Sequence, residues 1–223
     1  IFTKLGREIA VAAKGNPNPD TNSKLADAIA KAKANNMPND NIQRCIKKAA
    51  GELGSTTYET LVYEGYGVGG SALIISTLTD NKNRTAGDVR STLSKCGGEL
   101  GNTGCVSYMF ENKGLIVIER TLELDEDTVT EYAIEAGADD VVTLDDVFEI
   151  YTSPAAFSDV RKFLEGKGLS FLEADVRMIP QNTVNVEDAE TIEKIERFLE
   201  RLDDNDDVQE VYHNAIFPED EEA

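Results

Sequence analysis

The side chains that most often carry nucleophilic or proton-transfer chemistry near neutral pH are few in this 223-residue chain: one histidine and three cysteines. His213 falls at the end of a strand pattern, and with no Gly-x-Ser-x-Gly elbow it has no triad to complete. Cys45, Cys96 and Cys105 are odd in number and lack a Cys-x-x-Cys pair. That spacing points to reduced thiols in a cytosol-like compartment rather than a disulfide framework or a zinc site. Gly65-Tyr66-Gly67-Val68-Gly69-Gly70 resembles a phosphate-cradling loop. Such a loop must open a helix, and here a strand pattern follows, so a hairpin turn is expected. Asp203-Asp204-Asn205-Asp206-Asp207 alternates acids as a calcium loop does, but Val208 replaces the required glycine and Asn214 the final glutamate. A solvated acidic turn is expected instead. No enzyme, cofactor, resident metal or small-molecule substrate is anticipated.

One segment keeps a chemical reading. Asp80-Asn81-Lys82-Asn83-Arg84-Thr85 lies between the end of a strand pattern and the start of a helix pattern, expected from Thr85 to Cys96. A helix start offers unpaired backbone N–H groups and positive potential, which suit phosphate. Lys82 and Arg84 add charge, Asn81 and Asn83 add hydrogen bonding, and Arg90 follows within two turns. The same residues also suit a plain capped turn, with Thr85 and Asp88 at capping spacing and asparagine tolerating unusual backbone angles.

Charge is distributed unevenly. The formal net charge is −20, yet residues 1–54 sum to +4, residues 55–111 to −2 and residues 112–223 to −22. A basic head before an acidic remainder suggests one end that faces nucleic acid and one that repels it. The head's candidate contacts are Lys4, Arg7, Lys14, Lys31, Arg44, Lys47 and Lys48.

The elements that would position these residues follow from periodicity. Phe2, Leu5, Ile9 and Ala12 stripe a first helix, with Lys4, Arg7 and Lys14 opposite; Leu25, Ala28, Ile29 and Ala32 stripe a second. Ile42, Cys45, Ile46 and Ala49 stripe a third, from about Pro38 to Gly51, with Arg44, Lys47 and Lys48 facing away. From Thr56 the period becomes two. Strands are expected at Tyr58–Tyr66, Ser71–Thr79 (buried on both faces) and Cys105–Phe110. Residues 114–180 then read strand, helix, strand, strand, helix, strand, the ferredoxin-like order. Its helices are expected at 125–136 and 154–166 and its last strand at 169–179. A helix at 186–202 and a strand at 208–213 follow. The expected fold is α+β: a basic three-helix domain (1–54), a discontinuous middle α/β domain (55–112 with 181–223) and an inserted ferredoxin-like βαββαβ domain (113–180). The longest apolar run, Ile9–Ala13, is far short of a membrane span, so no membrane partner is expected.

Several runs carry a family resemblance. Ile1-Phe2-Thr3-Lys4-Leu5 with Arg7-Glu8 and Ala12-Ala13-Lys14, and Asn35-Asn36-Met37-Pro38 with Asn41-Ile42 and Ile46-Lys47, resemble the first and third helices of the YebC/PmpR family. Tyr63-Glu64-Gly65-Tyr66-Gly67, Gly69-Gly70, Thr79 to Thr85 and Gly97-Gly98-Glu99-Leu100-Gly101 resemble its middle-domain signature. The likeness covers essentially the whole chain; Gly6 and Val68 depart, where a larger residue and proline are usual. The resemblance implies a cytoplasmic, three-domain, non-enzymatic regulator of gene expression. It further implies either a DNA-binding transcriptional regulator or a ribosome-associated translation factor that contacts ribosomal RNA and relieves stalling, as at proline runs. An acidic adaptor that binds only protein is the reading from a different class. Members usually open with a basic Gly-His-Ser-Lys-Trp-like arm, and this chain starts at Ile1, so further residues upstream are expected. On the residues alone, modest head charge and a −22 remainder favour RNA over free duplex DNA.

Overall fold

A computed structural model describes residues 1–51 and 56–218. The boundary expected at Gly54 lies outside the described residues. Helices and sheets combine as an α+β fold.

Three helices open the chain: α1 (Phe2–Ala13), α2 (Ser23–Ala34) and α3 (Asn39–Ala49). Asn22 caps α2 by accepting from the Leu25 N–H, and Pro38 precedes α3, where its fixed backbone angle suits a helix entry. Leu5, Ile9, Leu25, Ala28, Ile42 and Ile46 close the core between them. Two expectations for α1 fail: Lys4 is buried, and Phe2 is 40% exposed. The core meridian therefore runs through Leu5, Ile9 and Ala13, one residue round from the stripe expected.

Next come β1 (Glu59–Tyr66) and β2 (Ala72–Thr79), an antiparallel pair from Glu59 opposite Thr79 to Tyr66 opposite Ala72. The glycine run between them is the expected hairpin connection. The Gly67 N–H donates to the Ser71 carbonyl, and Gly69 and Gly70 take φ of 74° and 77°, where a side chain would be disfavoured. Helix α4 (Lys82–Lys95) and short β3 (Glu99–Leu100) follow. At the C-terminal end α7 (Ala189–Asp203) and β9 (Val208–His213) complete a sheet of order β3-β1-β2-β9. As expected, β2 is buried on both faces. Leu73 and Ile75 meet Val89, Leu93, Phe198 and Leu202 on one side, and Ala72 and Ile74 meet Val106 and Phe110 on the other.

Between these halves lie β4 (Phe110–Glu119), α5 (Glu126–Ala136), β5 (Asp140–Thr143), β6 (Val147–Thr152), α6 (Phe157–Gly166) and β7 (Glu173–Pro180). Their sheet order, β5-β6-β4-β7, is the ferredoxin-like arrangement. Phe148, Ile116, Ile150, Val129 and Leu164 form its core. A pair of two-residue strands, β8 (Val184–Asn185) and β10 (Ala215–Ile216), adds a parallel contact absent from the sequence reading.

The chain groups into two compact units: Ile1–Ser55 with Asn112–Arg177, and Thr56–Glu111 with Met178–Ala223.

Other element ends move for local reasons. Cys105–Phe110 is not a strand. The buried Glu64 carboxylate accepts from the backbone N–H groups of Gly104, Val106 and Ser107 at 2.9–3.0 Å, which bends the segment into a loop and a single 3₁₀ turn at Ser107–Met109. Helix α4 opens at Lys82, three residues earlier than expected, because Asn81 is its cap. Ser153 holds a turn before α6, delaying that helix to Phe157, and Asp188 caps α7, with Val186 in the small parallel pair's hydrogen bonding.

Candidate nucleic-acid interface

On α3, Ile42 and Ile46 face the core and Cys45 and Ala49 pack beside them. At about 100° per residue, Arg44, Lys47 and Lys48 project roughly 140–240° from Ile42, and all three are exposed. None makes an ion pair among the described residues. Lys47 and Lys48 occupy the last turn, where cations complement the helix's negative end. The Cys45 thiol lies at the edge of the core; burial pushes its pKa up, only partly countered by Lys48 and Arg44, so it is held as a neutral thiol.

The remaining head candidates separate. Lys14 is exposed just beyond α1. Lys4 is buried and Arg7 half-buried, so neither shares the open cationic surface. Lys31 is half-buried, with its ammonium 3.5 Å from Glu8 and 3.6 Å from Asp175. Two cations that the sequence reading did not single out, Lys24 and Lys33, are exposed on α2. Lys33 sits in its last turn. Their distance from any recognisable motif left no signal beyond charge itself.

The segment after β2 is built differently from its phosphate-site reading. The Asn81 side chain caps α4 by accepting from the Arg84 N–H at 3.1 Å, so one helix-start donor is already engaged. The Arg84 guanidinium donates to Asp80 at 2.8 Å and to both oxygens of Asp207 at 2.9–3.0 Å. Those two carboxylates hold the Arg84 pKa above its ordinary value. Thr85 does not pair with Asp88; it is buried, and its hydroxyl lies 2.8 Å from Thr79 Oγ1 and 2.9 Å from Asp207 Oδ2. Asp207, expected in a solvated acidic turn, is only 3% exposed, and this network is the reason. Lys82, Asn83 and Arg90 remain exposed, as do Asp80 and Asp88.

His213 is half-buried at the end of β9, its ring tilted against Phe217. Burial lowers its pKa, so at neutral pH it is uncharged. Among the described residues no group of three or more His, Cys, Asp or Glu side chains is placed to hold a metal ion. No helix among them is long and apolar enough to cross a membrane.

Comparison with known proteins gives one consistent result. Residues 1–52 match the family described as "TACO1/YebC protein N-terminal domain", and residues 58–215 match "TACO1/YebC second and third domain". The chain is 59% identical over 220 residues to "Probable transcriptional regulatory protein ORF2U" of Hathewaya histolytica, covering 98% of this chain and 89% of that protein. It is 54% identical over 224 residues to a "Probable transcriptional regulatory protein" of Clostridium tetani, covering 100% and 91%. Among solved structures it resembles a conserved hypothetical protein, Aq1575 from Aquifex aeolicus. That similarity has a TM-score of 0.87 and 45% identity over 99% of this chain and 90% of the other.

Proposed function

The chain belongs to the TACO1/YebC family, and from that footing we propose that it regulates gene expression by contacting nucleic acid through the exposed cations of its helical head. The observation that carries this reading is the outer face of α3, where Arg44, Lys47 and Lys48 stand exposed with no ion pair among the described residues, in a chain of net charge −20. Unpaired cations on one helix face attract phosphate whatever the base sequence. Lys14, Lys24 and Lys33 are further exposed cations of the head. The relatives' names, probable transcriptional regulatory proteins, support a regulatory role and no catalytic step. In the same reading the chain divides into the head (1–54), the discontinuous middle domain (55–112 with 181–223) and the inserted domain (113–180), and acts in the cytoplasm.

The charge of the remainder bears on the target. With −22 over residues 112–223, free duplex DNA lying along the body would be repelled. RNA within a ribosomal cleft could be touched by the head alone, with basic protein surfaces meeting the acidic part. Two measurements test these readings. Reversing Arg44, Lys47 and Lys48 to Glu should weaken binding to nucleic acid and flatten its salt dependence; unchanged affinity across a salt series would remove the head as the contact. Ultraviolet crosslinking in cells, with sequencing of the attached strands, separates the targets. Ribosomal RNA reads would assign a translational role and promoter reads a transcriptional one, while no reads from either would favour the protein-only adaptor.

A further inference from the structure

The three-helix core and the core of the inserted sheet share no residue, although both lie in one compact unit. Between α2 and α6 the recorded bonds are ionic and polar. Arg161 Nε donates to Asp27 Oδ1 at 2.9 Å, and the Ser158 hydroxyl donates to the same carboxylate. A second guanidinium nitrogen reaches Glu165 at 3.0 Å. Arg161 is only 4% exposed, which is unusual for arginine unless its charge is matched. One turn along α2, Lys31 bridges Glu8 of α1 and Asp175 of β7 at 3.5 and 3.6 Å. In sequence, Thr56–Glu111 stands between the head and the inserted domain, so no short linker forces the two together.

We propose that Asp27–Arg161, with Lys31–Asp175 beside it, is an electrostatic latch that holds the helical head on the inserted domain and releases it when these charges are screened. Parting a buried, hydrogen-bonded ion pair strands an uncompensated charge and is costly, and the pair accepts only one geometry. It therefore fixes orientation. Because each side keeps its own closed hydrophobic core, parting the latch exposes charge more than apolar surface, and both halves stay folded. The partly exposed Lys31 pair weakens first as salt rises, since screening lengths fall below about 10 Å above 0.1 M. The inference is independent of what the head binds.

The test is a distance measurement on the full chain, with the three native cysteines replaced by alanine and spin labels at Lys47→Cys and Lys162→Cys, both exposed positions. At 0.05 M salt a narrow distance distribution is expected, broadening about twofold by 1 M as screening shortens. Asp27→Arg should give the broad distribution at low salt, and adding Arg161→Asp should narrow it again by restoring opposite charges. A distribution that stays narrow in Asp27→Arg, stays broad in the double variant, or ignores salt would overturn the latch. Thermal melts by circular dichroism separate release from unfolding. If Asp27→Arg does not fold, the salt series on the otherwise unaltered labelled chain decides alone.

Discussion

Glu64 shows how one side chain can replace an element of secondary structure. Burial alone would raise its pKa. The backbone donors of Val106, Gly104 and Ser107, together with the Ser107 side chain, outweigh that and hold it below its ordinary 4.5. Removing the carboxylate leaves three backbone N–H groups short of a partner, that of Val106 buried and those of Gly104 and Ser107 part-buried. Glu64→Ala should therefore cost about 3 kcal/mol in urea unfolding at pH 7. The sign of the pH dependence follows from the depressed folded-state value. The stabilisation is fully present above the unfolded pKa and is lost as pH falls through the folded one. Wild type and Glu64→Gln should thus differ by a constant amount from pH 8 to pH 6 and converge below about pH 4.5. A gap that widens on acidification would refute this account. Asp207 organises a second cluster, gathering Arg84 and Thr85 around one buried carboxylate. Asp207→Ala should lower stability by about 2 kcal/mol without weakening nucleic-acid binding, because it removes no cation and leaves Arg84 with Asp80 as its remaining carboxylate. A parallel loss of affinity would return the loop after β2 to the contact surface.

At the scale of elements, the close approach of α1 to α3 rests on Gly6. A Cβ there would sit 3.1 Å from Cys45 Sγ, tighter than ordinary contact. Alanine gains about 1 kcal/mol of helix propensity over glycine, and the crowding opposes it. Gly6→Ala should be near neutral with Cys45 present and stabilising within a Cys45→Ala background. The expected coupling between the two positions is about 0.5–1 kcal/mol in a double-mutant cycle; additivity would mean that the helices simply shift apart. Period and stripe were enough to read these helices from sequence, as they were for α7 and for β2. Apolar spacing reports burial directly, so Ile42, Leu73 and Phe198 could be placed before any coordinates. What could not be read were long-range polar bonds. Nothing near Ser107 in sequence signals that Glu64 will take its N–H, and nothing near Asp27 signals Arg161. Lys4 was misplaced because a one-residue rotation of the α1 stripe swaps a solvent position for a core edge. The cationic face of α3 was legible because Arg44, Lys47 and Lys48 lie on one short helix whose core side is unambiguous. Arg84 was legible as a charge but not as half of a bond to a residue 123 positions away.

For the whole molecule, the proposed contact raises the question of how an acid-rich chain would hold a polyanion at all. Each phosphate neutralised releases counterion and contributes about 0.9 to the slope of log affinity against log salt on duplex DNA, and about 0.7 on single strands. Three cations on α3 therefore account for a slope of roughly 2 to 3, so a fourfold rise in salt should weaken binding by about 15- to 40-fold through that face. The 31 acids among residues 112–223 act in the opposite sense. Salt screens their repulsion as well, which makes the whole-chain slope shallower than the head's own contribution. This predicts an ordering of variants. Arg44, Lys47 and Lys48 reversed together should remove about 2 to 3 units of slope. Lys82 and Arg90 reversed together should remove less than about 1, because exposed Asp80 and Asp88 already offset them. Filter-binding titrations at four salt concentrations, with both variants and one structured RNA, resolve the difference. Equal slopes for the two variants would shift the contact from the α3 face towards α4, and the protein would then meet its target through the middle of the chain.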